Sequence, residues 1–386
     1  MRSVFETALD CVVGAVDVAA DPAGVTFHRS PRRGRERLGD PVFDLSSAMP
    51  SGVRLEALTD AGAVELDVEL TRALPPGMAS PGSVFDLVVD GVPREPVTTA
   101  TETLLFWDLN TADRDVRPGG TATVRFEPGA AGEERRIEIW FPSAAAMKLL
   151  DVRVPDGARL RRAPAGGPLW VHHGSSISQC AEADRPTGTW PAIVARAAGR
   201  SLVNLAIGGQ CHLDPFMARA VRDLPATAIS LELGINVLNA DTMRERAFVP
   251  AFHGFLDTVR EGHPETPIAV ITPIVCPAAE RHPGPTFPGP DLRTRTVDRP
   301  DDLAPGALTL SRIRELLHEH VGVRREEGDR HLHVIDGLSL FGEDDVDDLP
   351  DGLHPSAEGY ARMAERFLPL AFGTDGPFGS APAGRS

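Results

Sequence analysis

The chain has 386 residues, a length that favours two domains over a single core. Of these residues 42% are hydrophobic and 24% charged, which is typical of a globular protein. Its formal net charge of −16 argues against binding to nucleic acid or anionic lipid, because both need basic patches. The four cysteines form no Cys-x-x-Cys pair, which argues against a disulfide framework or structural zinc and favours free thiols.

The N-terminus carries no convincing secretion signal. Acidic residues at Glu6, Asp10 and Asp17 interrupt the first apolar run. No other segment approaches the ~20 apolar residues that a membrane-spanning helix requires. We therefore expect a cytoplasmic protein that contacts no membrane.

Residues 1–165 predict an all-β domain. Apolar and polar residues alternate, as in half-buried strands, in the segments VRLEAL, AVELDVEL, SVFDLVVDG, TATVRFE and RRIEIWF. Between these segments lie turn-rich pieces such as LPPGMASPG. The pattern indicates an antiparallel sandwich or jelly roll with almost no helix.

Residues 166–373 predict an α/β domain, because strand and helix patterns alternate five times. One long helix is expected to begin with Asp241 as its N-cap, and the last helix is expected to begin at Ser356. The proline-rich segment 283–306 predicts an irregular lid or binding loop, and residues 374–386 predict a disordered tail.

Chemically useful groups follow the predicted strands. Serines follow PLWVHHG, a glycine pair follows SLVNLAI, an asparagine follows AISLEL, and an Asp and a His follow HLHVIDG and an acidic loop. Ligands bind at the carboxyl ends of the strands in such sheets. The set includes a hydroxyl nucleophile, a base, a group to orient the base and oxyanion donors, which together are what acyl transfer requires.

The segments GSSIS, NLAIGGQ, GIN and DGLHP resemble blocks I, II, III and V of the SGNH (GDSL) hydrolase superfamily, in order over about 200 residues. The resemblance implies a flavodoxin-like catalytic domain with a Ser/His/Asp triad. By this resemblance Ser176 is the nucleophile, His354 the general base and Asp351 its partner. The oxyanion would be bound by the backbone N–H groups of Ser176 and Gly209 and by the Asn236 side chain.

The chain departs from the family pattern at two positions. Ser175 stands where the first block usually has aspartate, and Val237 follows Asn236 where a second aspartate is usual. The aspartate of the first block is not a triad member, so we expect Ser176 to remain nucleophilic. Its loss is expected to change how the turn is held, with Ser175 and Ser178 as cap or turn hydroxyls.

Two of these assignments have rivals nearby in the sequence. Gly208 is an alternative to Gly209 as the oxyanion donor, and either glycine also suits a simple tight turn. Asp347 and Asp348 lie close enough to compete with Asp351 for His354.

No cofactor or metal site is expected. His172 and His173 lack a third ligand at suitable spacing and are expected to pack near the site. The run EDDVDD is interpreted as a solvated loop rather than a calcium site. Cys180 and Cys211 are interpreted as small buried residues.

These inferences predict a serine-dependent enzyme that passes an acyl group from a small-molecule ester or thioester to a small-molecule hydroxyl or to water. The two-domain layout resembles tailoring acyltransferases of natural-product pathways, of the kind that a tetracycline-type pathway uses for salicylyl transfer. The appended sandwich also resembles the carbohydrate-binding-like modules of some esterases in this superfamily. The alternatives are a carbohydrate-ester deacetylase and a binding protein on a disabled hydrolase fold, for which Ser175 is the best support.

Overall fold

A computed structural model of the chain describes residues 1–107, 113–300 and 303–379. The chain divides into two compact units. The first comprises Met1–Ala165 and Ala183–Thr187, and the second comprises Gly166–Glu182 and Gly188–Ser386. Within the described ranges, every helix is too short or too polar to span a lipid bilayer.

The first unit is built mainly of strands. Its strands are β1 (Arg2–Ser3), β2 (Val12–Val13), β3 (Asp17–Asp21), β4 (Gly24–His28), β5 (Arg54–Thr59), β6 (Val64–Leu74), β7 (Ser83–Val89), β8 (Val92–Pro93), β9 (Val97–Thr99), β10 (Thr103–Trp107), β11 (Arg114–Arg117), β12 (Ala122–Phe126), β13 (Arg135–Trp140), β14 (Ala146–Val154) and β15 (Leu160–Arg162). Its helices are α1 (Phe5–Leu9), α2 (Arg32–Leu38) and α3 (Pro41–Ser47).

These strands form two sheets. One has the order β11-β10-β6-β14-β4-β3, with β1 on β14 and β12 on β6, and the other has the order β15-β5-β13-β7-β8, with β2 on β5 and β9 on β7. Burial alternates along β6, where Val64, Leu66 and Val68 are buried, and these residues share one apolar core with Leu55 and Ile139 of the other sheet. The predicted β-sandwich is therefore confirmed.

The first unit contains more helix than the sequence pattern predicted. Helix α3 begins at Pro41, and the Asp40 carboxylate caps it by accepting hydrogen bonds from the N–H groups of Val42 (2.7 Å) and Phe43 (3.3 Å). Proline at the first helical position and aspartate before it are a strong local start signal. The helix spans only seven residues, too few for a helical period to stand out.

The second unit alternates strands and helices. Its strands are β16 (Leu169–His173), β17 (Ser201–Asn204), β18 (Ala228–Glu232), β19 (Ile268–Ile271), β20 (Thr286–Pro288), β21 (Thr294–Thr296) and β22 (Leu332–Ile335). Its helices are α4 (Ser176–Gln179), α5 (Trp190–Ala197), α6 (Pro215–Asp223), α7 (Ile235–Asn239), α8 (Glu245–Gly262), α9 (Leu310–Glu326), α10 (Gly337–Leu340) and α11 (Ala357–Phe372).

The central sheet of this unit has the order β17-β16-β18-β19-β22, and all its pairs are parallel. In chain order this is 2-1-3-4-5, the flavodoxin-like arrangement that we expected. Every residue of β18 and β19 is buried, as strands covered on both faces require. The carboxyl ends of β16, β17 and β18 lead directly into the segments that carry the candidate site.

Helix boundaries agree with the predictions to within one residue at one place and differ at another. Helix α11 begins at Ala357, one residue after the expected start, and the Ser356 side chain caps it by accepting from the Gly359 N–H at 3.1 Å. The expected cap at Asp241 is wrong, because α8 begins at Glu245. Asp241 has a φ of 50° and instead pairs with Arg299 at 2.5 Å, so its carboxylate serves a contact distant in sequence.

The expected tail is ordered in part. Residues 374–379 form turns after α11, and Phe378 is buried there against the ring of Phe372, with a centroid distance of 5.1 Å. The Phe378 N–H also donates to the carbonyl of Ala371 at 2.8 Å. A single buried aromatic side chain thus holds this segment, and residues 380–386 lie outside the described part of the chain.

Candidate active site

The turn after β16 presents Ser176 as the first residue of α4. Ser175 is the N-cap of this helix, because its hydroxyl accepts from the Ile177 N–H at 3.2 Å. Ser175 is fully buried, whereas Ser176 is partly exposed. The expectation that Ser175 is a cap hydroxyl is confirmed, and Ser176 is the one of the two neighbouring serines that a substrate can reach.

Ser176, His354 and Asp351 form one chain of hydrogen bonds. The Ser176 Oγ lies 2.8 Å from His354 Nε2, and His354 Nδ1 lies 2.6 Å from Asp351 Oδ2. The other carboxylate oxygen of Asp351 accepts from the backbone N–H groups of Leu353 (2.9 Å) and His354 (2.8 Å). This double anchor fixes Asp351 in the loop before α11, so that its free oxygen meets the imidazole.

The electrostatics of the pair favour a charged imidazole. Burial lowers the pKa of His354, but the carboxylates of Glu182 and Asp351 outweigh it and raise that pKa to about 9. Burial raises the pKa of Asp351, but hydrogen bonds from His354 and the Leu353 N–H lower it to about 2. An environment that stabilises imidazolium is what a base needs after it takes a proton from a hydroxyl.

Among the described residues, no carboxylate of the acidic run, including the exposed Asp347, contacts His354. Asp348 is bound to the Arg362 guanidinium, and Asp345 pairs with Arg362 (3.2 Å) and Arg366. These residues lie in a 3-10 helix, Glu343–Asp348, rather than in a solvated loop. The aspartate three residues before the histidine, Asp351, is therefore the one that contacts the ring.

The glycine pair after β17 lies against Ser176. A Cβ on Gly208 would lie 3.4 Å from the Ser176 Cβ, so the backbone at Gly208 passes close to the Ser176 side chain. The Gly208 N–H already donates to Gln179 Oε1 at 2.8 Å. Gly209 has a φ of 71°, which a residue with a Cβ rarely adopts. This geometry favours Gly209 over Gly208 as a donor to a bound ligand.

Asn236 lies near the start of α7, directly after β18, and its side chain is buried. Its Oδ1 accepts from the Cys211 N–H at 2.9 Å. Because that contact fixes the amide plane, Nδ2 is the donor side of the group. Cys211 belongs to the same loop as Gly209, so one hydrogen bond couples two of the predicted oxyanion donors.

A buried carboxylate that the sequence analysis missed holds the turn before Ser176. Glu232, at the end of β18, accepts three hydrogen bonds on Oε2: from the Ser175 N–H (2.8 Å), the Ser175 hydroxyl (2.7 Å) and the Ser178 hydroxyl (3.2 Å). It is 1% exposed, and its Oε1 has no hydrogen-bond partner among the described residues. Burial raises the pKa of Glu232, and the three donors oppose that rise.

This carboxylate also explains the glycine that opens the motif. A Cβ on Gly174 would lie 2.7 Å from Glu232 Oε2 and 2.8 Å from the Ser178 hydroxyl. The turn therefore has room for the carboxylate only because residue 174 lacks a side chain. With Ser175 in place of the usual aspartate, the carboxyl group at this turn comes from the neighbouring strand, β18.

A second carboxylate, which the sequence analysis also missed, faces the histidine. Glu182 Oε1 lies 3.8 Å from His354 Nδ1. Its other oxygen accepts from the hydroxyl of Tyr360 at 2.8 Å. Glu182 lies in an irregular segment, outside every motif and far from His354 in the sequence. No sequence signal therefore links it to the histidine.

The segment 283–306 contains an antiparallel pair, β20 and β21, where we expected no regular element. The Thr294 N–H donates to the carbonyl of Asp351 at 2.7 Å. At the other end of the pair, Arg299 binds the carbonyl of Gly284 as well as the Asp241 carboxylate that follows α7. The pair thus touches both the loop of Asp351 and the chain after the helix of Asn236.

The two histidines that precede the serine motif, His172 and His173, are buried in the core. Burial lowers the pKa of His172 to about 3, and its Nδ1 contacts the Ser230 hydroxyl at 2.6 Å. His173 is stacked on Phe255 and contacts the carbonyl of Leu205 at 3.0 Å. All four cysteines are free, and Cys180 and Cys211 are buried, as predicted; Cys11 and Cys276 are buried as well. The described residues include no group of three or more His, Cys, Asp or Glu side chains arranged to hold a metal ion.

The sequence profile of the GDSL-like lipase/acylhydrolase family matches residues 173–362, which span every motif of the site. The chain carries a GDSL-like lipase/acylhydrolase domain. The resemblance inferred from the four sequence motifs is thereby confirmed. A search of curated proteins finds no match to the chain.

Solved structures extend the similarity to the first unit of the chain. Salicylyl-acyltransferase SsfX3 from a tetracycline biosynthetic pathway is 27% identical, with a TM-score of 0.77 over 95% of each chain. A structure from Bacteroides ovatus described as a GDSL-like lipase is 20% identical, with a TM-score of 0.64 over 93% of each chain. A family two carbohydrate esterase from Clostridium thermocellum, in complex with cellohexaose, is 18% identical, with a TM-score of 0.57 over 92% of this chain and 97% of that one. The last two support the fold alone.

Proposed function

We propose that the protein is a serine acyl-transfer enzyme that forms an acyl-enzyme on Ser176. The observation that carries the proposal is the continuous contact from Ser176 Oγ through the His354 ring to the doubly anchored Asp351. A hydroxyl is a weak nucleophile unless a base within hydrogen-bond reach takes its proton, and a base keeps its orientation only if a third group holds it.

In the first half-reaction Ser176 Oγ attacks the carbonyl carbon of an ester or thioester, and His354 Nε2 takes the hydroxyl proton. Asp351 keeps Nδ1 protonated and stabilises the imidazolium. The N–H groups of Ser176 and Gly209 and the Asn236 side chain bind the oxyanion. His354 then returns the proton to the leaving group, and the acyl group stays on Ser176.

In the second half-reaction a hydroxyl group attacks the acyl-enzyme while His354 Nε2 takes its proton; the bond from the acyl carbon to Ser176 Oγ then breaks, and His354 returns the proton to Oγ. We propose that this hydroxyl belongs to a small molecule, so that the enzyme is an acyltransferase of the natural-product tailoring type. The support is the similarity to the salicylyl-acyltransferase, which covers both units of this chain at 27% identity. Esters of carbohydrates are the second candidate substrate, supported only by the shared fold of the esterases.

Labelling with a fluorophosphonate tests the nucleophile. We expect the wild type to be labelled and Ser176→Ala not to be, with turnover of a p-nitrophenyl ester falling at least ~10³-fold in that variant. Ser175→Ala is the matched control and should still be labelled. Wild type that resists labelling would favour the binding-protein alternative, and loss of labelling only in Ser175→Ala would move the nucleophile by one residue.

A second assay separates transfer from hydrolysis. The wild type is incubated with an acyl thioester, with and without alcohol acceptors of increasing size, and the acylated products are identified by mass spectrometry. A transferase is indicated if the ester of the acceptor forms faster than the free acid and only when acceptor is present. Free acid alone, at a rate that no acceptor changes, would contradict the transferase proposal and leave an esterase.

A further inference from the structure

Glu182 lies beside the proposed triad but belongs to none of the four motifs. Its Oε1 is 3.8 Å from His354 Nδ1, the same ring nitrogen that Asp351 Oδ2 approaches to 2.6 Å. His354 Nδ1 therefore faces two carboxylates from different parts of the chain. Most histidine bases of this kind need only one such partner.

A hydrogen bond from Tyr360 orients the Glu182 side chain. Tyr360 is the only tyrosine in the chain, it is fully buried in α11, and its hydroxyl donates to Glu182 Oε2 at 2.8 Å. That contact ties one oxygen of Glu182 and leaves the other on the side of the imidazole. Helix α11 follows His354 by two residues, so Tyr360 and His354 are held in one rigid segment.

We infer that Glu182 is a positioning residue for His354: held by Tyr360, its carboxylate is a second anion at Nδ1 and stabilises the imidazolium that forms when Ser176 loses its proton. The inference rests on the proposed function. It assigns Glu182 no contact with the reacting atoms, because it acts through the His354 ring alone.

Few other groups near His354 could stabilise its imidazolium by charge. Among the described residues, the titratable groups near the ring and its loop, besides Asp351 and Glu182, are Tyr360, Cys180 and Cys276. Burial raises the pKa of Cys180 and Tyr360 well above their ordinary values, and it raises the pKa of Cys276 to about 11. All three are therefore neutral near pH 7 and add no charge at the His354 ring.

The size of the effect is limited by solvent. The Glu182 side chain is 39% exposed, compared with 18% for His354, so water screens the interaction. Partly exposed ion pairs of this kind change an equilibrium by about two- to fivefold. We expect Glu182→Gln to lower the high-pH plateau of kcat/KM by about that factor. The protonation limb of the pH profile should move to lower pH at the same time.

The test combines this profile with an NMR titration of His354 in the full-length protein. The His354 signal is assigned by its absence in His354→Gln, and its pKa is followed in wild type, Glu182→Gln and Tyr360→Phe. Glu182→Gln should lower it, and Tyr360→Phe should lower it less, because the carboxylate remains but loses its anchor. Glu358→Gln is the matched control: it removes a charge from an exposed residue of α11 and should leave both readouts unchanged.

A purely structural role for Glu182 would change the melting temperature but not the titration. An unchanged His354 pKa in Glu182→Gln, in protein that still reacts with the fluorophosphonate, overturns this inference alone. Should Glu182→Gln fail to fold, the same comparison with Tyr360→Phe decides. Wild type that neither reacts nor turns over ester overturns the proposed function and this inference with it.

Discussion

Replacing Glu232 by alanine tests whether a buried carboxylate holds the turn that presents Ser176. Its Oε2 accepts from the Ser175 N–H at 2.8 Å and from the hydroxyls of Ser175 and Ser178 at 2.7 Å and 3.2 Å. In Glu232→Ala the hydroxyls can rotate towards other acceptors. The Ser175 N–H has a fixed direction and cannot turn to another acceptor. Because Ser175 is fully buried, bulk water does not reach this N–H.

A buried donor without a partner costs about 1–3 kcal/mol. A middle value of about 2 kcal/mol corresponds to a fall in Tm of ~4–8 °C for a domain of this size. Activity should fall as well, because Ser176 is the next residue and a displacement of about 1 Å in a reacting group costs on the order of 10²-fold in rate.

Differential scanning calorimetry and kcat on a p-nitrophenyl ester measure the two effects. Ser178→Ala is the matched control, because it removes one donor to Glu232 and leaves the Ser175 N–H paired; it should lose far less stability. A Glu232→Ala protein with the Tm and kcat of the wild type would refute the reasoning. It would mean that the turn is held by its own backbone.

The stability of the protein should also depend on pH through Glu232, and Glu232→Gln tests this. Burial raises the pKa of Glu232 above the ~4.3 of an unfolded glutamate, so the folded state holds this proton to higher pH. Its contribution to stability is thus full below that unfolded value and is lost as the pH rises through the folded pKa. The free energy of unfolding of the wild type, measured by urea titration relative to that of Glu232→Gln, should therefore decrease as the pH rises above ~4.3.

Further expectations concern the rest of the site. Asn236→Ala should lower kcat by ~10²–10³-fold with little change in KM, measured on the same ester, because it removes a donor to the oxyanion; an unchanged kcat would exclude Asn236 from that role. The pKa of about 9 for His354 predicts that kcat/KM rises with pH through neutrality and levels off near that value, whereas a plateau already at pH 7 would contradict it. Because the pKa of Asp351 is lowered to about 2, its hydrogen bonds should stabilise the fold fully above pH ~3.9, and this stabilisation should be lost as the pH falls towards 2. In acid-unfolding curves, Asp351→Asn should lack this part of the loss of stability. Gly174→Ala should reduce soluble yield and labelling, since its Cβ would lie 2.7 Å from Glu232 Oε2, and normal labelling would show that the turn can shift.

Much of this architecture could be predicted because the signals were local and repeated. Alternation along β6 and the continuous apolar run of β19 fix the two classes of sheet. The motifs lie at strand ends, where a parallel sheet gathers them, so Ser176 and His354 come together from 178 residues apart. The start of α11 could be placed at Ser356 to within one residue, because serine is favoured where a helix begins.

What the sequence could not indicate depends on long-range contacts. Glu232 follows a strand pattern like many other polar residues, and only the folded sheet places it under Ser175. Glu182 has no periodicity or motif at all. Asp241 looked like a helix cap, but its carboxylate is used by Arg299, a contact across 58 residues that no local pattern encodes. Phe378 likewise orders a segment whose composition suggested disorder.

The burial of the four cysteines has a practical consequence for choosing a donor. Cys11, Cys180 and Cys276 have no exposed surface, and Cys211 has 1%. A chromogenic thiol reagent such as a disulfide dye will therefore react slowly with the folded protein. Thiol released from a thioester can then be read continuously against a low background, and a late rise in colour without donor would report unfolding instead of turnover.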